Sequence, residues 1–318
     1  MKVVMPGGSG QVGAVLARAL APAGHEVVVL SRRGSAPPGA RGVAWDGRSV
    51  GAWAGEVDGA DVVINLAGST VDCRYTPRNR REIMDSRIES TRAVCEAIGA
   101  ASHPPRVWLQ SSTATIYAHT YGPPHDERNG VLGGDEPDAP DTWRFSIDVA
   151  RSWEEEAERA ATPETRTVLL RSAMIMSPDR GGVFDTLLGL VRRGLGGTAA
   201  HGRQFLSWIH HADFVRAVQW LIDHDDVSGP VNVASPHPLP NADFMRALRQ
   251  AAGVRVGLPA TRWMLEVGAF ALRTETELIL KSRRVVPGLM LERGFEFEHP
   301  HWPAAARDLV ADWRAGPA

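Results

Sequence analysis

The sequence predicts an α/β protein in which a doubly wound parallel sheet carries a smaller C-terminal lobe. Continuous apolar runs suited to buried parallel strands alternate along the chain with segments of helical periodicity. The first run, residues 2–5, leads into a glycine-rich turn and a helix pattern, which is the order of a βαβ unit. The chain has 318 residues, 43% of them apolar and 23% charged, so it can bury a sizeable core and an appended lobe.

Composition excludes several classes of protein. Lysine and arginine together number 35 and the acidic residues 37, so the net charge of -2 does not predict binding to nucleic acid or to an anionic membrane. Cys73 and Cys95 are too few for a disulfide framework or a cysteine-rich zinc site, and we expect no metal centre. No signal-peptide pattern and no apolar stretch of membrane-spanning length occurs. These features favour a cytoplasmic protein.

The glycine-rich turn predicts a dinucleotide site. Gly7, Gly10 and Gly13 follow the spacing G-x-x-G-x-x-G, with Gln11 and Val12 inside the motif. Glycines at these points let the turn close, let backbone N–H groups approach a pyrophosphate, and let the helix pack against the strand. A plain glycine turn is the alternative, but the flanking strands favour a Rossmann-type cofactor site.

The ends of the next two strands extend this predicted site. The second strand ends in Ser31-Arg32-Arg33, where an acid would favour NAD and an arginine suits the 2′-phosphate of NADP. We therefore predict NADP(H), with Ser31 as a further hydrogen-bond donor; two solvated arginines are the alternative. A buried strand at residues 61–66 then runs into Leu66-Ala67-Gly68, small enough to let a cofactor lie close.

Helices and strands continue to alternate after this point. Helices are predicted at residues 78–101 and 143–161, strands at 106–110 and 165–171, and a long loop at 122–141. The expected core face of the first of these helices consists of Met84, Ile88, Thr91, Cys95 and Ile98.

Several motifs resemble those of a known superfamily. The glycine turn, the segment Asn65-Leu66-Ala67-Gly68 and the run from Ser111 to Tyr117 look like the extended short-chain dehydrogenase/reductases, which include NAD-dependent epimerases and dehydratases. Ser86-Arg87, Trp153-Glu154 and Trp208-Ile209-His210 further resemble a subgroup of epimerase-family oxidoreductases. The similarity runs along nearly the whole chain.

This resemblance implies the lobes and further cofactor contacts. It implies an NADP-binding Rossmann domain at residues 1–175, to which some later strands return, and a substrate lobe with a C-terminal helical segment at 176–318. It also implies that Ser111 and Ser172 lie at the cofactor. The natural reaction of the subgroup is generally unassigned, so the resemblance indicates the fold better than the substrate.

The residues that usually perform the chemistry of the superfamily are missing. Members use a Tyr and a Lys four residues later; the Tyr exchanges a proton with the substrate oxygen, and the Lys lowers the pKa of the Tyr. The only lysines here are Lys2 and Lys281, and none of the three tyrosines is followed by a Lys at that spacing. Aligning the helix by Trp153 places Phe145 and Val149 at the two positions.

Other residues are candidates for the substrate. Thr113 matches the assisting Ser or Thr, and its hydroxyl is expected either to bond a substrate carbonyl or to tie down the strand end. Tyr117 is the best-placed remaining phenol. Arg203 is expected to bind a substrate anion, with a surface arginine as the alternative, and Trp208 is expected to face the cleft.

Three features of the second half are interpreted as structural. His210 and Asp213 precede a helical face, with Asp213 as its expected cap. The apolar segment 262–272 is either a buried helix or a subunit contact, so a homodimer is one expectation.

The sequence therefore favours an NADP(H)-dependent oxidoreductase or epimerase-like enzyme for a small carbonyl or alcohol, with a non-standard acid or base. A non-catalytic NADP(H)-binding sensor or interaction protein is the first alternative. A nucleotide-sugar epimerase is the second, and the pair Arg32-Arg33 and the missing Tyr and Lys count against it.

Overall fold

A seven-stranded parallel sheet forms the centre of the protein in the computed structural model, which describes residues 1–137, 139–261, 263–265, 275 and 277–316. In chain order the strands are β1 (Lys2–Pro6), β2 (Glu26–Ser31), β3 (Arg41–Ala44), β4 (Val62–Asn65), β5 (Val107–Thr113), β6 (Arg166–Ser172), β7 (Met174–Met176), β8 (Phe205–Leu206), β9 (Trp208–His210), β10 (Gly229–Val233) and β11 (Leu239–Pro240). The order across the central sheet is β10-β6-β5-β4-β1-β2-β3, and all neighbours are parallel. The predicted doubly wound α/β sheet is confirmed.

Helices cover both faces of this sheet. The described helices are α1 (Gln11–Leu20), α2 (Pro77–Ala100), α3 (Asp141–Glu158), α4 (Val183–Arg192), α5 (His211–Asp223), α6 (Asn241–Ala252), α7 (Glu277–Leu280), α8 (Gly288–Glu292) and α9 (Trp302–Ala315). Short 3-10 turns lie at Ala52–Glu56 and Ala114–Ile116. None of the helices described here has the length and apolar character needed to cross a lipid bilayer.

Burial on both faces explains the continuous apolar runs. Successive residues of a strand point to opposite faces, so Val3 and Met5 of β1 pack with α1 and α5, while Val4 packs with α2 and α3. Strands β2 and β4 divide their residues between the two cores in the same way.

The C-terminal lobe has a core of its own. Helices α4, α6 and α9 pack around two short sheets, one pairing β7 with β9 and the other pairing β8 with β11. Helix α5 and strand β10 come late in the chain but join the main sheet and its core. The lobe boundary near residue 175 stays a prediction.

Differences from the predicted elements have local causes. Strand β5 extends to Thr113 because β6 pairs with it as far as Ser172, and α3 ends at Glu158. Cys95 is only half-buried, because the buried residues of α2 include Ile83, Val94 and Ala97 rather than the full set expected. Both cysteines are free thiols. The segment 262–272 lies outside the described residues except for 263–265.

His210 is a buried residue that caps α5. It is 1% exposed, and its Nδ1 accepts a hydrogen bond from the Ala212 backbone N–H at 3.2 Å. Asp213 is therefore not the cap that the sequence suggested. Its carboxylate instead accepts backbone N–H groups of Glu298 and His299 at 2.8 and 2.9 Å, which ties α5 to the chain before α9.

The surroundings of His210 keep its ring neutral. Burial, with His211 and His299 nearby, lowers the pKa of His210 to about 2. Asp308 Oδ2 lies 3.1 Å from Nε2 and favours the charged ring, but Asp308 is 44% exposed, so water screens this attraction. His210, His299 and Asp308 bring potential ligand atoms within 4.8 Å of one another. Because Nδ1 accepts an amide hydrogen, the neutral ring carries its proton on Nε2, and a protonated nitrogen cannot ligate a metal.

We predict that this neutral ring makes the protein less stable as the pH falls below about 6.5, the ordinary pKa of histidine. Below that value the unfolded state binds a proton that the folded state does not, so the free energy of unfolding decreases by up to ~1.4 kcal/mol per pH unit. His210→Asn keeps an acceptor for the cap, and its unfolding free energy in urea should fall less steeply between about pH 6.5 and 5. Equal slopes in both proteins would contradict the buried neutral ring.

Candidate functional site

The carboxyl ends of the parallel strands bring the predicted cofactor residues to one edge of the sheet. The Gly7 N–H donates to the Leu30 carbonyl at 2.8 Å, and the Leu66 N–H donates to the Pro6 carbonyl at 2.8 Å. Further along this edge, Thr113 pairs in register with Ser172. Open α/β sheets bind ligands in the crevice outside this edge.

The glycines of the turn are required by close backbone approach. Gly7 has φ +75°, and a Cβ there would lie 2.5 Å from the Ala67 Cα. A Cβ on Gly13 would lie 2.0 Å from the Gly8 carbonyl oxygen. Gly10 faces open space instead, because a Cβ added there would meet no atom within 4 Å.

The start of α1 offers hydrogen-bond donors to an anion. Gly10 begins the helix with no side-chain cap, and the first turn contains no acidic residue. The Gln11 Nε2 atom is buried and finds no hydrogen-bond partner within the described ranges, and it lies against Gly182. Val12 packs its side chain against the core, so its backbone is the part left to contact a cofactor. An orphaned amide beside free helix N–H groups suits a pyrophosphate.

The end of β2 presents two free guanidinium groups. Arg32 and Arg33 are exposed, and neither pairs with a carboxylate in the part of the chain that the structure describes. Ser31 is buried, and its hydroxyl donates to the Ser35 carbonyl at 2.7 Å. The expected Ser31 donor is therefore already in use, whereas both arginines remain available.

The end of β4 lies against a half-buried arginine that the sequence reasoning missed. The Ala67 N–H donates to Asn65 Oδ1 at 3.1 Å, and a Cβ on Gly68 would lie 3.2 Å from the Arg87 Cζ. Arg87 stacks 4.9 Å above the Trp153 ring, and burial lowers its pKa to about 10. The sequence signal that could have identified Arg87 was its place in the Ser86-Arg87 motif.

Serine and threonine side chains line the edge at β5 and β6. Ser111 and Ser172 are half-buried, and the Ser172 hydroxyl donates to the Leu170 carbonyl at 3.4 Å. The Thr113 Oγ1 accepts the Thr115 backbone N–H at 3.2 Å, which ties down the strand end. Because that bond uses only a lone pair, the Thr113 hydroxyl proton stays available to a substrate oxygen.

Tyr117 is buried, and its hydroxyl has two hydrogen-bond partners. It is 2% exposed; its hydroxyl donates to Asn232 Oδ1 at 2.9 Å and accepts from Arg171 Nη1 at 3.0 Å. Its ring stacks on His125 at 5.3 Å, and burial raises the pKa of the phenol. The hydroxyl proton is donated to Asn232, so Tyr117 ties Arg171 to Asn232; its role as a proton donor stays a prediction.

Arg171, which donates to the Tyr117 hydroxyl, also forms a buried ion pair with Glu154. Arg171 Nε and Nη2 donate to the two Glu154 oxygens at 2.9 and 2.7 Å, and the Ser112 hydroxyl donates to the same carboxylate. Burial disfavours the charge on Arg171, but the bonds and charge of Glu154 outweigh this and raise its pKa.

Apolar side chains fill the two positions of α3 where the superfamily resemblance implies Tyr and Lys. Phe145 and Val149 share a cluster with Tyr75 and Ile83. The Tyr75 ring meets Phe145 edge to face at 5.1 Å, and its hydroxyl lies 3.4 Å from Ser146 Oγ. Helix α3 therefore brings no titratable group to this point, but a phenol reaches it from the segment after β4.

Buried charged residues from the C-terminal lobe lie behind this cluster, and sequence reasoning missed them too. Glu277 is 1% exposed; it accepts the Ser146 hydroxyl at 2.6 Å and Arg283 Nη2 at 2.8 Å. Lys281 is fully buried and donates to the Thr115 carbonyl at 2.7 Å. Burial and the nearby Arg283 lower the pKa of Lys281 to about 7.

The two expected substrate residues have different surroundings. Arg203 is exposed, lies 5.9 Å from the Tyr121 ring, and pairs with no carboxylate among the residues described. Trp208 is fully buried and packs against Trp302 at 5.0 Å. Its burial corrects the expectation that Trp208 faces the cleft, because it has no surface to offer a substrate.

Known proteins are similar to this chain in sequence. The profile of the NAD dependent epimerase/dehydratase family matches residues 3–234, and that of a domain of unknown function (DUF1731) matches residues 260–309. The chain is 29% identical over 314 residues to the epimerase family protein SDR39U1 of Homo sapiens, covering 98% of this chain and 100% of the relative. It is also 29% identical to YfhF of Bacillus subtilis, covering 98% of this chain and 99% of the relative.

Solved structures are similar as well. Human SDR39U1 crystallised with NADPH superposes with a TM-score of 0.84 at 28% identity, covering 98% of this chain and all of that one. A nucleoside-diphosphate sugar epimerase of Corynebacterium glutamicum gives 0.72 at 25% identity, and this chain covers 58% of it.

We predict that Arg171→Met destabilises the protein by about 3–5 kcal/mol, because it leaves the Glu154 carboxylate buried without its cation. Arg159→Met is the matched control, since Arg159 pairs with Glu155 at the surface and is 72% exposed; its effect should stay below about 0.5 kcal/mol. Urea unfolding measures both. Equal effects of the two substitutions would contradict the buried network.

Proposed function

Because the chain belongs to the NAD dependent epimerase/dehydratase family, we propose that it binds NADP(H) along the carboxyl edge of its sheet and uses it to interconvert a small carbonyl and alcohol. The observation that carries the proposal is the orphaned Gln11 amide beside the uncapped start of α1. That arrangement leaves donors for a pyrophosphate where the open space at Gly10 gives it room.

The choice of NADP(H) over NAD(H) rests on the end of β2. Arg32 and Arg33 are exposed and lack carboxylate partners in the described ranges, so they suit a 2′-phosphate. Human SDR39U1, with a similar fold, was crystallised with NADPH. Leu66-Ala67-Gly68, Ser111 and Ser172 line the rest of the edge and complete the proposed cofactor contacts.

The chain supplies orientation for the chemistry. When bound, NADP(H) supplies or accepts a hydride. The Thr113 hydroxyl proton is free to bond the substrate oxygen, and Arg203 offers a guanidinium to an anionic group on the substrate. The proposal includes a cytoplasmic location, for which two free thiols are suited, and a homodimer.

A non-catalytic NADP(H) sensor is the second candidate. It is favoured by the apolar pair Phe145 and Val149 and by the occupied hydroxyl of Tyr117. Loss of nicotinamide absorbance on mixing the protein with NADPH and a panel of aldehydes and ketones separates the candidates. Turnover supports the oxidoreductase, whereas tight binding without turnover supports the sensor. Nucleotide-sugar epimerisation is disfavoured by the same missing pair and by Arg32-Arg33.

We predict that the double substitution Arg32→Ala and Arg33→Ala weakens NADPH binding about 10-fold or more and leaves NADH binding unchanged, because only NADPH carries the 2′-phosphate. Titration calorimetry with both nucleotides measures the difference. Comparable affinities of the wild type for NADPH and NADH would rule out the proposed preference.

Gly10→Ala should weaken NADPH binding while changing the unfolding free energy by no more than about 1 kcal/mol, because the new methyl group enters open space that the pyrophosphate needs. Gly55→Ala is the control, since a Cβ there also meets nothing within 4 Å but lies away from the turn. Undiminished binding by Gly10→Ala would show that the cofactor does not occupy this turn.

A further inference from the structure

A tyrosine from another part of the chain lies against Phe145 and Val149, the two positions of α3 where the superfamily resemblance implies Tyr and Lys. Tyr75 lies between β4 and α2, and its ring packs against Phe145 and Val149. Its backbone is fixed on both sides: the Tyr75 N–H donates to Glu275 Oε1 at 2.8 Å, and its carbonyl accepts from Arg80 Nε at 3.1 Å. The ring is thus held at this point by three separate segments.

The hydroxyl of Tyr75 begins a line of hydrogen-bonding groups. It lies 3.4 Å from Ser146 Oγ, and Ser146 donates to Glu277 Oε2 at 2.6 Å. The other oxygen of Glu277 accepts from Arg283 Nη2 at 2.8 Å, and Arg283 Nε donates to Thr115 Oγ1 at 3.1 Å. Thr115 is two residues beyond Thr113, so the line runs from Phe145 to the end of β5.

We propose that Tyr75 is the residue that exchanges a proton with the substrate oxygen, and that Ser146 and Glu277 relay this proton. This inference rests on the hydride-transfer function proposed above. In alcohol oxidation the substrate O–H proton passes to Tyr75 Oη, the Tyr75 proton to Ser146 Oγ, and the Ser146 proton to Glu277, while the carbinol hydrogen leaves as hydride to the oxidised nicotinamide. Carbonyl reduction is the reverse, with one proton and one hydride in each direction.

The environment suits a phenol that is protonated at neutral pH. Burial and the Glu277 charge raise the pKa of Tyr75 to about 12, so the form that can donate to a carbonyl oxygen is the resting form. The ionisable groups that face or bond Tyr75 are Cys73, Arg80, Arg87, Glu275, Glu277 and Arg283.

The relay is carried by the segment that matches DUF1731. Glu277, Lys281 and Arg283 all lie within residues 260–309. Lys281 holds the Thr115 carbonyl and Arg283 holds the Thr115 hydroxyl, so both cations fix the turn that follows β5. The lobe that lies beyond the cofactor half therefore provides the groups that α3 lacks.

The first test compares two kinds of hydride acceptor. An aldehyde becomes a strongly basic alkoxide and needs a proton during hydride transfer, whereas an aromatic ortho-quinone becomes a weakly basic phenolate and does not. Tyr75→Phe should therefore reduce aldehydes at least about 100-fold more slowly with NADPH than the wild type does, and quinones at a similar rate. Tyr121→Phe is the matched control, because Tyr121 is 46% exposed and bonds His201; it should leave both rates unchanged.

The outcomes separate this inference from the function on which it rests. Aldehyde reduction by Tyr75→Phe at the wild-type rate would overturn the role of Tyr75 and leave the oxidoreductase standing. A wild type that neither binds NADPH nor reduces either acceptor would overturn the proposed function itself.

The second test needs no substrate. The three tyrosines are replaced by 3-fluorotyrosine, whose phenol titrates at lower pH than that of tyrosine. 19F NMR then follows the titration of each phenol, and the signal that is lost in Tyr75→Phe is assigned to residue 75. Its midpoint should lie above that of Tyr121 and should fall in Glu277→Gln, because the facing negative charge is removed. An unchanged midpoint in Glu277→Gln would overturn the relay, since a phenol that only packs against Phe145 has no reason to sense this carboxylate.

Discussion

The close approach of the Gly7 backbone to that of Ala67 sets the geometry of the cofactor edge. It holds the ends of β1 and β4 against each other, and the equally close contact of Gly13 with Gly8 holds α1 over them. Since α1 begins at Gly10 without a side-chain cap, its N–H groups and the Gln11 amide remain for an anion. The cofactor half of the site therefore depends on backbone contacts that any larger residue would break.

The residues around the proposed reaction depend instead on buried charges, each of which has a hydrogen-bonding partner. Burying a charge is costly unless it is paired and hydrogen-bonded. Glu277 meets both Ser146 and Arg283, and Lys281 meets the Thr115 carbonyl. The same reasoning explains Tyr117, whose buried hydroxyl bonds both Arg171 and Asn232. The cluster around Tyr117 fixes the end of the sheet. The cluster around Glu277 faces the position where Phe145 and Val149 provide only apolar side chains.

The fold and the NADP(H) cofactor could be predicted from the sequence because their signals are local: a glycine turn, a strand end with two arginines, and alternating apolar runs. The family resemblance carried by those motifs is confirmed. The contacts around the proposed reaction were missed because they join residues that are distant in the chain. Tyr117 bonds residues 54 and 115 positions away, and Lys281 bonds one 166 positions away. Lys281 stood out as one of two lysines, but no sequence pattern specifies that contact.

A crystal structure with bound NADP+ tests most directly whether the cofactor edge and Tyr75 form one site. The account predicts the pyrophosphate in hydrogen-bond reach of Gln11 Nε2, the 2′-phosphate beside Arg32, and the Tyr75 hydroxyl as the titratable group nearest to the reactive carbon of the nicotinamide. A nicotinamide ring that points away from Phe145, or one that another titratable side chain approaches more closely than Tyr75 does, would contradict it.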